Sequence, residues 1–132
     1  MLPSGGKWMK ILIVDDELTA RTILKNHLLK SVPGCELFEA ANGTEAIFRY
    51  LKYQPDVVLL DLIMPVVDGE TFLNIIEDAF QKGFLKKEPK VIVITSFDDP
   101  GKLLEVSGRP SVETVIPKPI TQATIERLKV LL

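Results

Sequence analysis

A single cysteine, Cys35, stands in the whole chain, so no internal disulfide can form and a reducing compartment is favoured. Long apolar runs are missing too. None approaches the ~20 residues that a membrane helix needs, so no membrane partner is expected, and the location is read as cytoplasmic. The opening residues MLPSGGKW lack the apolar stretch of a secretory signal. Met9 reads as a plausible natural start, and residues 1–8 as a leader or cloning scar outside the fold. An excess of one charge is absent as well. With 16 basic against 18 acidic residues the net charge is −2, which supplies no general field for nucleic acid. Neither a G-x-G-x-x-G nor a G-K-[ST] loop occurs, which disfavours a nucleotide-binding enzyme. Repeats, low-complexity segments and internal linkers are also lacking.

What remains is an ordinary balance of 46% hydrophobic and 26% charged residues in 132 positions. That is one domain with enough chain to bury a core. Three short runs, Ile11–Val14, Val57–Leu60 and Val91–Ile94, are apolar at every position, the mark of strands covered on both faces. Glu36–Ala40 and Val112–Ile116 are mixed and suit sheet edges. Between them lie helical spacings. Ala20, Leu24 and Leu28 mark the first, stopped by Pro33-Gly34. Asn42 with Glu45 has the form of a capping box opening the second. Phe72, Ile76, Ala79 and Phe80 mark the third. Asp99-Pro100 starts a short fourth that contains Gly101 and ends at Gly108. Ile125, Leu128 and Leu132 mark the fifth.

Five strands alternating with five helices predict an α/β, doubly wound parallel sheet. Right-handed crossovers with the three apolar strands central give the order 2-1-3-4-5, a flavodoxin-like arrangement. Ligands then bind at the carboxyl ends of the strands, near the switch point between strands one and three.

The chemistry-bearing residues lie at those ends. Strand one runs into Asp15 and Asp16, strand three into Asp61, strand four into Thr95, and strand five is followed by Lys118. Each has a plainer reading: Asp16 as a cap of the following helix, Thr95 as a strand-end hydroxyl, Lys118 as a solvated lysine. Together they outweigh those readings. Carboxylates crowded at one point repel by several kcal/mol at an effective dielectric of ~20. A divalent cation relieves that, and oxygen ligands with open water positions suit Mg²⁺. A carboxylate beside a metal, an ammonium and a hydroxyl suits an incoming phosphoryl group.

From about Met9 to Leu132 the chain resembles the CheY-like receiver (response-regulator) domains of two-component signalling. LIVDDE (Leu12–Glu17), LLDLIMPVVDG (Leu59–Gly69), ITS (Ile94–Ser96) and PKP (Pro117–Pro119) carry the resemblance, in order and spacing. It implies that residues 9–132 form a receiver domain, a signalling phosphoacceptor that assists its own phosphotransfer and dephosphorylation rather than an enzyme. By that resemblance Asp61 is the phosphoacceptor for a histidine kinase or phosphotransfer protein. Asp16, Asp61 and the backbone carbonyl of Ile63 are the Mg²⁺ ligands, with Asp15 acting through water. Thr95 and Lys118 hold the phosphoryl oxygens, and the Lys118–Pro119 bond is cis. Thr95 then moves toward the phosphoryl group. A downstream effector binds the face of the fourth helix, fifth strand and fifth helix.

Departures stand beside the matches. The family's switch aromatic, three residues before the lysine, is Val115 here. Ile63 and Phe97 are large and apolar where the family faces the hydrolytic water. A non-phosphorylated pseudo-receiver is the alternative; the complete set of acids and lysine argues against it. A hydrolase with an aspartyl nucleophile wants a second Asp two residues after the first, where Ile63 stands. His27, Cys35 (placed in the loop after the first helix) and Lys82, Lys86, Lys87 and Lys90 (a solvated face) read as packing or surface residues, and Asp68 as a helix cap. The output is unassigned: the chain reads as a stand-alone receiver or as a piece of something longer.

Overall fold

The structure, a computed structural model, describes residues 9–132; the proposed leader lies outside the described residues. Ten elements alternate: β1 (Met9–Val14), α1 (Leu18–Ser31), β2 (Cys35–Ala40), α2 (Gly43–Tyr53), β3 (Val57–Leu60), α3 (Gly69–Gln81), β4 (Val91–Thr95), α4 (Pro100–Ser107), β5 (Val112–Pro117) and α5 (Gln122–Leu131). The five strands are parallel, in the order β2-β1-β3-β4-β5, as the apolar runs predict. Every residue of β3 and β4 is buried, whereas β2 and β5 are buried only in part.

Strand period two splits the apolar runs into two cores. Leu12, Val14, Val58, Leu60 and Val93 face α2, α3 and α4 and pack with Ala46, Tyr50, Phe72, Leu73, Ile76 and Val106. Ile11, Ile13, Leu59, Ile92 and Ile94 face the other way, onto Leu24 and Leu28 of α1 and Ile125 and Leu128 of α5. Phe72 is fully buried and meets Tyr50 edge-on, with ring centroids 5.9 Å apart. Such a ring contributes about 3–5 kcal/mol when compared with alanine.

Caps set the helix starts. Asn42 Oδ1 accepts from the Glu45 N–H at 2.9 Å, while Glu45 Oε1 accepts from the Ala41 N–H at 3.3 Å, one residue earlier than a capping box requires. Asp68 accepts from the Thr71 N–H at 2.9 Å, and Asp99 Oδ1 from the N–H groups of Gly101 and Lys102. In α4 only Val106 is buried.

Three expectations change. Cys35 is the first residue of β2, not part of the loop, with Sγ 3.8 Å from the Leu28 carbonyl; pairing with Met9 extends the strand that far. Strand β5 runs on through Pro117, paired with Thr95, after a bulge opposite Val91 and Ile92. Lys90 is half-buried and donates to the Leu131 carbonyl at 3.2 Å, tying down the end of α5. Lys82 and Lys87 remain exposed, pairing with Asp78 and Asp56.

Candidate functional site

The strands deliver their terminal residues to one point because their hydrogen-bond ladders continue one residue beyond each strand. The Asp15 N–H donates to the Ala40 carbonyl at 3.1 Å, the Asp61 N–H to Val14 at 2.9 Å and the Lys118 N–H to Thr95 at 2.9 Å. Close packing fixes the loop after β3. A Cβ on Gly69 would lie 2.7 Å from the Asp61 carbonyl oxygen, so only glycine starts α3 this near the acid.

Asp61 is 3% exposed and its carboxylate is fully engaged. Oδ1 accepts from the Thr95 hydroxyl at 2.7 Å and from the Ile63 N–H at 3.1 Å; Oδ2 accepts from the Lys118 ammonium at 2.9 Å. The Thr95 hydroxyl therefore already faces Asp61, and accepts in turn from the Phe97 N–H at 3.2 Å.

Lys118 meets three carboxylates: Asp15 at 2.8 Å, Asp61 at 2.9 Å and Glu17 at 3.0 Å. Burial alone would lower its pKa, but hydrogen bonds to those three acids outweigh it and hold the ammonium above the ordinary lysine value. Asp15 goes the opposite way for an acid. Its burial raises the pKa, and the hydrogen bonds from Lys118 and the Glu17 N–H compensate only in part. Asp16 is exposed, and it is Glu17, with no side-chain cap bond, that stands at the N-terminus of α1. The plainer reading of Asp16 as a cap is not realised.

Asp15, Asp16, Glu17 and Asp61 each bring a carboxylate oxygen within 4.8 Å of the others. Four acids around one ammonium leave negative charge in surplus, and the donors are all oxygen. Such a set fits a hard divalent cation. Glu17 is the member that the sequence reading left without a role. Its position in the Asp15-Asp16-Glu17 run was the available signal, but its partner lies 101 residues away.

Ile63 is half exposed, and it lines a cavity with Phe97, Leu62, Met64, Asp68 and Glu70 beside Asp61. Val115 is half-buried and lines a second cavity with Thr95, Phe97, Leu103, Leu104 and Pro117. The Lys118–Pro119 bond is cis. His27 is half-buried on α1, apart from the acidic cluster.

The model of the response regulator receiver domain matches residues 11–128. The chain belongs to this family. The receiver is 32% identical to the chemotaxis protein CheY of Listeria monocytogenes over 110 residues, 82% of this chain and 85% of that protein. It is 44% identical over 66 residues to protein-glutamate methylesterase/protein-glutamine glutaminase 3 of Vibrio cholerae, covering 50% of this chain but only 18% of that protein. Among solved structures, it superposes with a TM-score of 0.76 and 28% identity on a chain of the CheX–CheY–BeF₃–Mg²⁺ complex of Borrelia burgdorferi, over 96% of this chain and 89% of that one. Receivers of this type are in general signalling phosphoacceptors rather than classical enzymes. They bind Mg²⁺ at an acidic pocket and interact with kinases and effectors. No helix among the described residues is long and apolar enough to cross a membrane.

Proposed function

We propose that this receiver takes a phosphoryl group onto Asp61 from the phosphohistidine of a histidine kinase or phosphotransfer protein, and thereby switches its binding to an effector. The observation that carries the reading is the Asp61 carboxylate, buried yet met by the Thr95 hydroxyl, the Ile63 N–H and the Lys118 ammonium. In the transfer an Asp61 oxygen bonds to phosphorus. The phosphorus–nitrogen bond of the donor breaks, and its electron pair stays on the imidazole. Thr95 and Lys118 then hold phosphoryl oxygens.

Asp16, Asp61 and the Ile63 carbonyl would hold Mg²⁺, with Asp15 acting through water. The ion, when bound, neutralises charge on the transferring group. The pseudo-receiver alternative is disfavoured because acids, hydroxyl and lysine are all present and already grouped.

For the output, α4 is the element of least buried support, with Leu104 75% exposed and Lys102 held to Glu70 at 3.2 Å. Val115 is short and stiff at χ1, so the signal runs through the backbone after Thr95 into α4 and the β5–α5 face beside it. The test of the acceptor is direct. Incubated with Mg²⁺ and acetyl phosphate, the wild type gains one acid-stable, base-labile phosphoryl group by intact mass. Asp61→Asn gains none, and uptake by that variant at the wild-type rate overturns the assignment.

A further inference from the structure

An ammonium has three N–H donors, and in this receiver each is taken by a different carboxylate: Asp15, Asp61 and Glu17 at 2.8, 2.9 and 3.0 Å. The three acceptors are not equivalent. The Asp15 and Asp61 side chains are 4% and 3% exposed, and both have other partners. Asp15 Oδ1 accepts from the Glu17 N–H at 2.9 Å, while Asp61 is held by Thr95 and Ile63. The Glu17 side chain is 63% exposed, and among the described residues Lys118 is its one hydrogen-bond partner. Its backbone is pinned by Asp15 while its carboxylate is free to turn into water.

Resting on the phosphoacceptor reading, we infer that Glu17 is a positioning residue, a placeholder that occupies the third Lys118 donor in the resting protein and yields it to the incoming phosphoryl oxygen. A phosphoryl oxygen has to displace one of the three acids. Displacing Asp15 strands a buried charge, and Asp61 is the acceptor itself. Glu17 leaves into solvent, where water replaces the lost bond. Transfer therefore has to break one partly exposed ion pair first, and that contact slows the unprompted reaction with small donors.

The test measures the second-order rate of phosphorylation by acetyl phosphate at saturating Mg²⁺. Glu17→Gln should react about two- to fivefold faster than wild type, the range an exposed ion pair supplies. Glu17→Gln made in a Lys118→Met background should change nothing, because the contact acts through the lysine. A gain that persists there would mark a general field effect and overturn the proposal, as would a Glu17→Gln rate at or below wild type, the result if Glu17 were instead a metal ligand. A second readout is independent of turnover. The ¹³C carboxylate signal of Glu17, followed on adding Mg²⁺ and beryllofluoride, should move to the position it has in free Lys118→Met, and an unmoved signal overturns the release. If wild type takes up no phosphoryl group at all, the failure lies with the acceptor reading. If wild type is labelled on Asp61 and Glu17→Gln gains nothing, only the placeholder falls.

Discussion

The two ends of the sheet each hold an aspartate bonded to a lysine, and they behave oppositely. At the amino end, Asp56 accepts from the Lys10 N–H at 2.8 Å and from the Lys87 ammonium. Its burial would raise the pKa, but those two donors outweigh it and the group ionises below the ordinary value. One acid, one cation and one amide make a satisfied structural joint between β1 and the start of β3. At the carboxyl end, four acids cluster and Lys118 is bonded to three of them, and Asp15 ionises above its ordinary value because of burial. The difference teaches that an acid–lysine contact is not in itself a sign of function. What sets the carboxyl end apart is its surplus of acids over cations.

Removing each lysine gives the widest separation. Lys118→Met, in chelator at neutral pH, should lose about 3 kcal/mol in a denaturant titration, since it strands carboxylates only 3–4% exposed. Lys87→Met should lose ~1 kcal/mol or less, as an exposed pair does. Equal losses would erase the distinction between the ends. Next comes the metal. Mg²⁺ at ten times its Kd should stabilise wild type by about 1.4 kcal/mol, and Asp56→Asn by the same amount. Asp16→Asn should respond much less at that concentration, which a thermal shift series reads directly.

Acid titration gives a smaller effect. Asp56 has a lowered folded pKa, so its contribution is present above the unfolded value of 3.8 and is lost as pH falls through the folded one. Asp15 has the opposite sign. Its folded pKa lies above 3.8, so in metal-free protein its ionisation costs stability as pH rises from there through the folded value. Asp56→Asn should therefore flatten the acid limb of the stability profile, and Asp15→Asn should raise metal-free stability at neutral pH. Identical profiles for the two variants would break the comparison. The subtlest contrast is in amide exchange with and without beryllofluoride and Mg²⁺. Protection should change in α4 and stay constant around Lys10 and Asp56. If Asp99–Ser107 is silent, the output path through α4 is wrong.

Much of this was legible in the chain because local rules decide it. Ile11–Val14, Val57–Leu60 and Val91–Ile94 are apolar on both faces, and that alone places them at the centre of the sheet. Asp68 and Asp99 are followed at once by helix starts, so their caps need no tertiary information. Asp15, Asp61 and Lys118 follow strand ends of one parallel sheet and Thr95 closes another, which brings them together whatever the loops do. The parts that escaped depend on partners far away in sequence. Glu17 bonds Lys118 across 101 residues, and Lys90 meets the end of α5 across 41. Glu77 of α3 accepts from Arg109 at 2.8 Å and from Ser111, across 32 and 34 residues. No periodicity announces such contacts, because each is made by polar groups that read alone as solvated.

The backbone rungs beyond the strand ends have a consequence for how this protein can be varied. Asp15, Asp61 and Lys118 are each stitched by their own N–H to the neighbouring strand, at 3.1, 2.9 and 2.9 Å. Their spacing is inherited from the sheet and owes nothing to exposed side chains of α4 or α5, such as Leu104 and Val130. The proposed phosphoacceptor centre and the proposed recognition face thus draw their positions from different residues. If the proposed face is the one partners read, a library randomised over the outward positions of those helices should keep phosphoryl uptake on Asp61 while its choice of partner drifts.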